Sequence, residues 1–158
     1  MSDIKVRRAT AADIRAVFEL SNQRGVREKS FHSSAIGWPE HVEWFERVLK
    51  DPDCSFYVAE INGRIAGQVR FSRDGELTLV SISVSQDYRR KGIGRQMLQM
   101  ALKDFQSGHQ SGQIFARIKP DNLQSISFFQ SLGFRPEQSE GRGQVVVLSL
   151  PVRCGEGA

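Results

Sequence analysis

Residues 76–105 read ELTLVSISVSQDYRRKGIGRQMLQMALKDF. The first ten favour a β-strand. From Gly92 onward the apolar residues Ile93, Met97, Leu98, Ala101, Leu102 and Phe105 recur at helical spacing. The stretch is therefore a strand, a turn and an amphipathic helix, and residues 89–95, RRKGIGR, lie at the junction. A helix start presents N–H groups without intrahelical partners and a partial positive charge. Glycine lets a ligand approach the backbone closely, and Arg89, Arg90, Lys91 and Arg95 add charge, so the junction is suited to a pyrophosphate. The plain alternative is a solvated basic helix start. No Gly-Lys-Ser/Thr follows, which excludes a Walker loop, and the G-x-G-x-x-G of dinucleotide-binding folds is absent.

Reading outward, residues 4–9 form a short strand. Thr10 with Asp13 reads as the N-cap of a helix carrying Ile14, Val17, Phe18 and Leu20. Residues 21–37 are polar and read as a long connection, either functional or mobile. Pro39 suits the first turn of a second helix with Val42, Trp44, Phe45, Val48 and Leu49 on one face, stopped at Asp51-Pro52. Residues 56–61 and 64–72 flank Asn62-Gly63, the signature of a tight hairpin, and Asp74-Gly75 leads into the next strand. Beyond the central helix come a strand at 113–119, a helix at 122–132 closed by Gly133-Phe134 and a last strand at 145–150. The expected class is α/β, or equally α+β: a mixed, mostly antiparallel sheet flanked by helices, with a β-α-β unit in its second half. One domain is expected over 1–150, and 151–158 read as a flexible tail.

With 158 residues, 39% hydrophobic and 25% charged, the chain can bury one core. The net charge of +4 suits anionic small molecules and argues only weakly for nucleic acid. Cys54 and Cys154 form no framework and no zinc pattern, so a reducing, cytoplasmic setting without a metal is expected. No apolar run approaches the roughly 20 residues that span a bilayer, so no membrane association is expected.

Arg89-x-x-Gly92-x-Gly94 after a strand resembles the acetyl-CoA signature Q/R-x-x-G-x-G/A of the GNAT N-acetyltransferases. The family's second signature, N-x-x-A-x-x-L/F-Y-x-x-x-G-F, is met by Asn122, Ser125, Phe128, Phe129, Gly133 and Phe134. The likeness runs from about residue 4 to residue 150. It implies acetyl-CoA as acetyl donor, with Ile82, Ser83 and Val84 offering backbone groups to the pantetheine arm. Arg89, Arg90, Lys91, Gly92, Ile93, Gly94 and Arg95 would hold the pyrophosphate. Asn122 would meet the pantetheine or simply cap its helix, Phe128 would be core, and Phe129 would stand at the thioester. The family often has a Tyr at that position to protonate the departing thiolate, which Phe cannot do. Ser125, one turn earlier, is the candidate proton relay, against simple packing.

For the base that takes the amine proton the candidates are Glu60, Glu76 and His41, each of which also has a plain surface or rim reading. Gln68 and Arg70 share one face of a central strand and read either as the acceptor pocket or as a structural pair. The Trp38 to Phe45 segment and residues 67–71, GQVRF, resemble the branch of the family that acetylates the 4-amino group of nucleotide-linked sugars. Arg24 and Arg27, with Lys29 and His32, would then face the diphosphate. A protein N-terminus or a small amine is the alternative acceptor, and a non-enzymatic acyl-CoA-binding module is the third reading. A homodimer stays open.

Overall fold

The computed structural model describes residues 3–89, 91–108, 112–137 and 145–152. Seven strands form one sheet: β1 (Ile4–Arg8), β2 (Cys54–Ile61), β3 (Arg64–Asp74), β4 (Leu77–Val84), β5 (Gly112–Ile118), β6 (Arg135–Pro136) and β7 (Val146–Val152). Their order is β1-β2-β3-β4-β5-β7-β6, with β4–β5 the parallel pair and every other pair antiparallel. The helices are α1 (Ile14–Ser21), α2 (Arg24–Lys29), α3 (Trp38–Lys50), α4 (Ile93–Ser107) and α5 (Leu123–Ser131).

Local chemistry explains the turns. Asn62 at φ 52° and Gly63 at φ 77° give the β2–β3 hairpin its left-handed corner. Asn122 caps α5 by accepting the Ser125 N–H at 3.2 Å. At the other end of α5 Gly133 takes φ 95°, and the N–H groups of Phe134 and Gly133 reach the carbonyls of Phe129 and Gln130. Those two bonds satisfy carbonyls that the helix end leaves open.

Alternation of side chains divides the sheet into two unlike faces. Tyr57, Ala59, Val69, Phe71 and Val80 join Met97, Leu98 and Phe105 of α4 in the larger core. The opposite face, under α1 and α3, has a smaller core of Val17, Phe45, Phe56 and Val58. On that face cross-strand neighbours run Val58–Gln68–Ser83 and Phe56–Arg70–Ser81. Thr10 begins a short 3₁₀ turn, Ala11–Asp13, ahead of α1. Its N–H donates to Asp13 Oδ2, and the same carboxylate is held by Arg7, which also reaches Glu60.

The element order differs from expectation at two places. Residues 21–37 are not all connection, because α2 lies within them with Val26 buried. It is held by polar ties as well: Arg27 donates to the carbonyls of Ser21 and His32. The two-residue β6 was absent from the pattern and exists by pairing with β7. The last strand runs to Val152, so it extends past 150 into the stretch read as tail; 153–158, with Cys154, lie outside the described residues.

Candidate active site

Strands β4 and β5 are in register only at Thr78–Ile114 and Leu79–Phe115. Beyond Leu79 they part, so the C-terminal half of β4 keeps its β3 partner on one side and, among the described residues, has no strand on the other. Ile82, Ser83 and Val84 lie in that half. Alternate residues of this stretch turn their backbone polar groups to the open edge, where they can pair with an extended amide-bearing ligand, as a missing strand would, although the Val84 carbonyl also accepts from Arg89.

The sheet leads from this edge into the junction with α4. Gly92 stands at the N-cap with φ 73°. The first intrahelical bond runs from Gln96 N–H to the Gly92 carbonyl, which leaves the N–H groups of Ile93, Gly94 and Arg95 outside the helical ladder. A Cβ on Gly94 would come within 3.3 Å of Val84 and 3.4 Å of Phe128, so this helix start is packed tightly onto β4 and α5. Arg95 contacts the Ser131 hydroxyl at 3.4 Å and Lys91 stands over the Tyr88 ring. Ile93 is buried in the core, so its contribution to a ligand is its amide alone. Arg90 lies outside the described residues.

Arg89 is turned inward: its Nε donates to the Val84 carbonyl, and its guanidinium packs on Gly25 of α2, where a Cβ would meet Nη1 at 2.5 Å. Helix α2 thus reaches the β4 end. Gln23 just before it bonds Ser85 and the Gln86 N–H, while Lys29 at its other end donates to Gln124 and the Glu28 carbonyl accepts from Lys119. These ties run to both sides of the parted strands. Burial, and secondarily the charge of Arg89, push the Lys29 ammonium below its ordinary pKa.

On α5, Asn122 Nδ2 donates to Ser125 Oγ at 2.9 Å. That bond occupies a lone pair of the hydroxyl and leaves its proton free to be donated. Phe129 is 4% exposed and meets Phe128 and Phe134 edge-on, while Phe128 is the partly buried ring that faces Gly94. The two rings thus divide the work otherwise than the sequence led one to expect, with Phe129 the more deeply embedded.

The base candidates separate on geometry. His41 is 1% exposed, and its Nε2 bonds the Ile14 carbonyl at 2.8 Å among the rings of Phe18, Trp38, Trp44 and Phe45. Burial pushes its pKa below the ordinary value, so it is neutral packing material enclosed away from solvent. Glu60 is on β2 and accepts two N–H groups from Arg7, at 2.9 and 2.6 Å, a structural task remote from the open edge of β4. Glu76 is exposed in the β3–β4 turn. Arg24 is exposed and paired with Glu28, and Arg27 spends its donors on its own loop.

Gln68 and Arg70 stay together on the α1/α3 face. Gln68 Nε2 donates to Ser21 Oγ at 3.2 Å, and its Oε1 is buried without a partner. Arg70 is half-buried, 5.0 Å above the Trp44 ring, and among the described residues nothing accepts its N–H groups. A cavity of about 330 Å³ between α3 and β2, lined by Arg8, Lys50, Cys54 and Phe56 among others, includes none of the candidate site residues.

A half-paired parallel strand feeding a glycine-rich helix start is the arrangement that the resemblance to acetyl-CoA-binding acyltransferases implies. The model of the acetyltransferase (GNAT) family matches residues 16–134, and the chain belongs to that family. The chain is 28% identical over 115 residues to an N-alpha-acetyltransferase of Sulfurisphaera tokodaii, covering 63% of this chain and 69% of that one. Its fold matches a ribosomal-protein-alanine N-acetyltransferase of Brucella melitensis with TM-score 0.77 at 23% identity, over 93% of this chain and 99% of that one. It also matches a phosphinothricin acetyltransferase of Sinorhizobium meliloti in complex with acetyl-CoA, with TM-score 0.79 at 21% identity over 98% and 91%. The protein is an acetyltransferase of this family with the mostly antiparallel sheet the sequence led us to expect. Among the described residues no helix is long and apolar enough to cross a membrane.

Proposed function

We propose that the protein acetylates the α-amine at a polypeptide N-terminus, using acetyl-CoA. The observation that carries donor binding is the open C-terminal half of β4 continuing into the free amides at the start of α4. The outward-facing backbone groups of residues 82–84 pair with the amides of the pantetheine arm. The N–H groups of Ile93, Gly94 and Arg95, with Lys91 nearby, take the pyrophosphate, and Asn122 and Phe128 close the far side. The donor supplies an activated thioester.

The neutral amine nitrogen attacks the acetyl carbon, the new N–C bond forms as the C–S bond breaks, the nitrogen gives up a proton to water and the sulfur leaves with the electron pair. A thiol of pKa about 8.5 is a fair leaving group without an acid, which accounts for an enzyme with Phe at 129. Ser125 passes a proton to the thiolate through a water and takes one back from water. An α-amine, with pKa about 7.7–8.0, is about 10–15% neutral at pH 7, a far larger fraction than a lysine side chain, so the chain can work without a dedicated carboxylate base.

Peptide acceptors are favoured over a nucleotide-linked amino sugar on two grounds. The relatives include enzymes described as N-alpha-acetyltransferases. Arg24 and Arg27, expected to face a diphosphate, are spent on Glu28 and on loop acceptors. A thiol-release assay comparing peptide N-termini, a nucleotide-linked 4-amino sugar and small amines at equal concentration tests the reading. Peptides should turn over fastest, and turnover of the sugar alone would overturn it.

A further inference from the structure

Two polar side chains at the centre of the sheet hold bonding capacity that nothing among the described residues takes up, and they lie side by side. Gln68 is 8% exposed with Oε1 unbonded. A buried carbonyl oxygen left unpaired costs about 1–3 kcal/mol. Arg70 presents a guanidinium of five donors to Trp44 and, among the described residues, to no acceptor. A half-buried cation without a counter-charge is also costly, and burial accordingly pulls its pKa down. Both project from the same face of β3, about 7 Å apart along the strand.

Their order on the strand has a direction. Gln68 lies beside Ser83, in the half of β4 that β5 leaves open, whereas Arg70 lies beside Ser81, toward the half that begins to pair. The reacting amine must come to the open half, because the donor is bound there. Gln68 Oε1 is an acceptor with nothing to accept, and an amine supplies N–H. Arg70 is a donor set with nothing to receive it, and a carboxylate supplies two oxygens in a matching fork.

We propose that Gln68 and Arg70 together form an acceptor subsite for a peptide N-terminus followed by an acidic residue, Gln68 Oε1 taking an N–H of the amine and Arg70 the carboxylate one residue along. This deepens the α-amine reading and rests on it. Holding one N–H fixes the nitrogen so that its lone pair faces the thioester, and the distant ion pair contributes binding that appears as rate. Trp44 stacks beneath the guanidinium and keeps its fork from turning away.

The test is acetyl-CoA turnover on matched peptides with Glu, Gln or Lys at position two, using wild type, Arg70→Gln, Arg70→Lys and Gln68→Leu. Acetyl-CoA affinity, measured on each variant by calorimetry, reports that it is folded. Wild type should prefer Glu over Gln by more than tenfold in kcat/KM, and Arg70→Gln should erase the preference by slowing the Glu peptide alone. Arg70→Lys should restore part of it, and Gln68→Leu should slow all peptides while keeping the ranking. Peptides acetylated without regard to position two, or a ranking that survives Arg70→Gln, would overturn the subsite and leave the α-amine reading standing. Inert peptides beside an active small amine would overturn that reading itself, and the subsite with it.

Discussion

The two faces of the sheet are held by different forces. The α4 face is a continuous apolar layer in which Phe71 stacks on Phe105 at 4.4 Å and Met97, Leu98 and Ala101 are fully enclosed. The α1/α3 face has a smaller apolar core and a polar stripe, Gln68, Arg70, Ser81 and Ser83, running beside it. The first face fixes the distance between α4 and β4, and with it the donor cradle. The second leaves bonding capacity unspent where the acceptor must enter. Stability and donor binding should therefore respond to changes on the first face, and acceptor choice to changes on the second.

The largest expected effect comes from the ionic knot at the edge of the second face. Asp13 is buried against Arg7 at 2.8 Å and also takes the Thr10 N–H. Asp13→Ala leaves the Thr10 N–H unpaired and strips Arg7 of one of its two carboxylates, and should cost about 3 kcal/mol in denaturant unfolding. The Arg7 guanidinium, the larger influence, holds the Asp13 carboxyl below its ordinary pKa against the effect of burial. A depressed carboxyl stabilises the fold above its unfolded pKa, near 3.9, and that contribution is lost as pH falls through the folded value. Asp13→Asn should therefore flatten the acid limb of the stability profile below about pH 4. An acid limb identical to wild type would show that the pair contributes nothing.

Next is Gly67, where a Cβ would stand 2.5 Å from Met97 Sδ and 2.7 Å from the Ser83 carbonyl. Methionine can move, but backbone in the donor strand cannot move freely. Gly67→Ala should lower stability by about 1–3 kcal/mol and weaken acetyl-CoA binding with it, measured by thermal unfolding and calorimetry. Unchanged binding would separate the α4 face from the cradle and break the comparison.

Much of this first face could be read from the chain. The glycines of 92–94 and the helical period after them located the cradle, and Asn62-Gly63 and Gly133 located their turns, because each of these signals is local. The acceptor side was harder to read for a physical reason. Residues 21–37 gave no helical period, since α2 is short and relies on Arg27 and Gln23 reaching backbone and side chains elsewhere. His41 read as a base or as a plain surface or rim group, and its burial against the Ile14 carbonyl, which no local pattern records, makes it neither. Glu60 was a base candidate until Arg7, distant in sequence, claimed it. The orphaned oxygen of Gln68 depends on where Ser21 falls, and no period or motif records that.

A smaller effect is expected at Gly94. Aspartate there collides with Val84 and Phe128 and sets a negative charge among the free amides, so acetyl-CoA affinity should fall more than tenfold, about 1.4 kcal/mol. Normal affinity in a folded Gly94→Asp protein would remove the pyrophosphate from this helix start. The smallest change sharpens the chemistry alone. Phe129→Tyr adds a hydroxyl to a ring lodged between Phe128 and Phe134. It should leave KM for acetyl-CoA unchanged and raise kcat severalfold at most. A fall in acetyl-CoA binding would show that this ring serves packing only.

The most direct test of the central claim is mass spectrometry of a peptide carrying both a free N-terminus and a lysine, incubated with the protein and acetyl-CoA. The account predicts one acetyl group, on the α-amine, formed in step with free CoA thiol. Acetylation of the lysine side chain alone, or thiol release with the peptide unmodified, would contradict it.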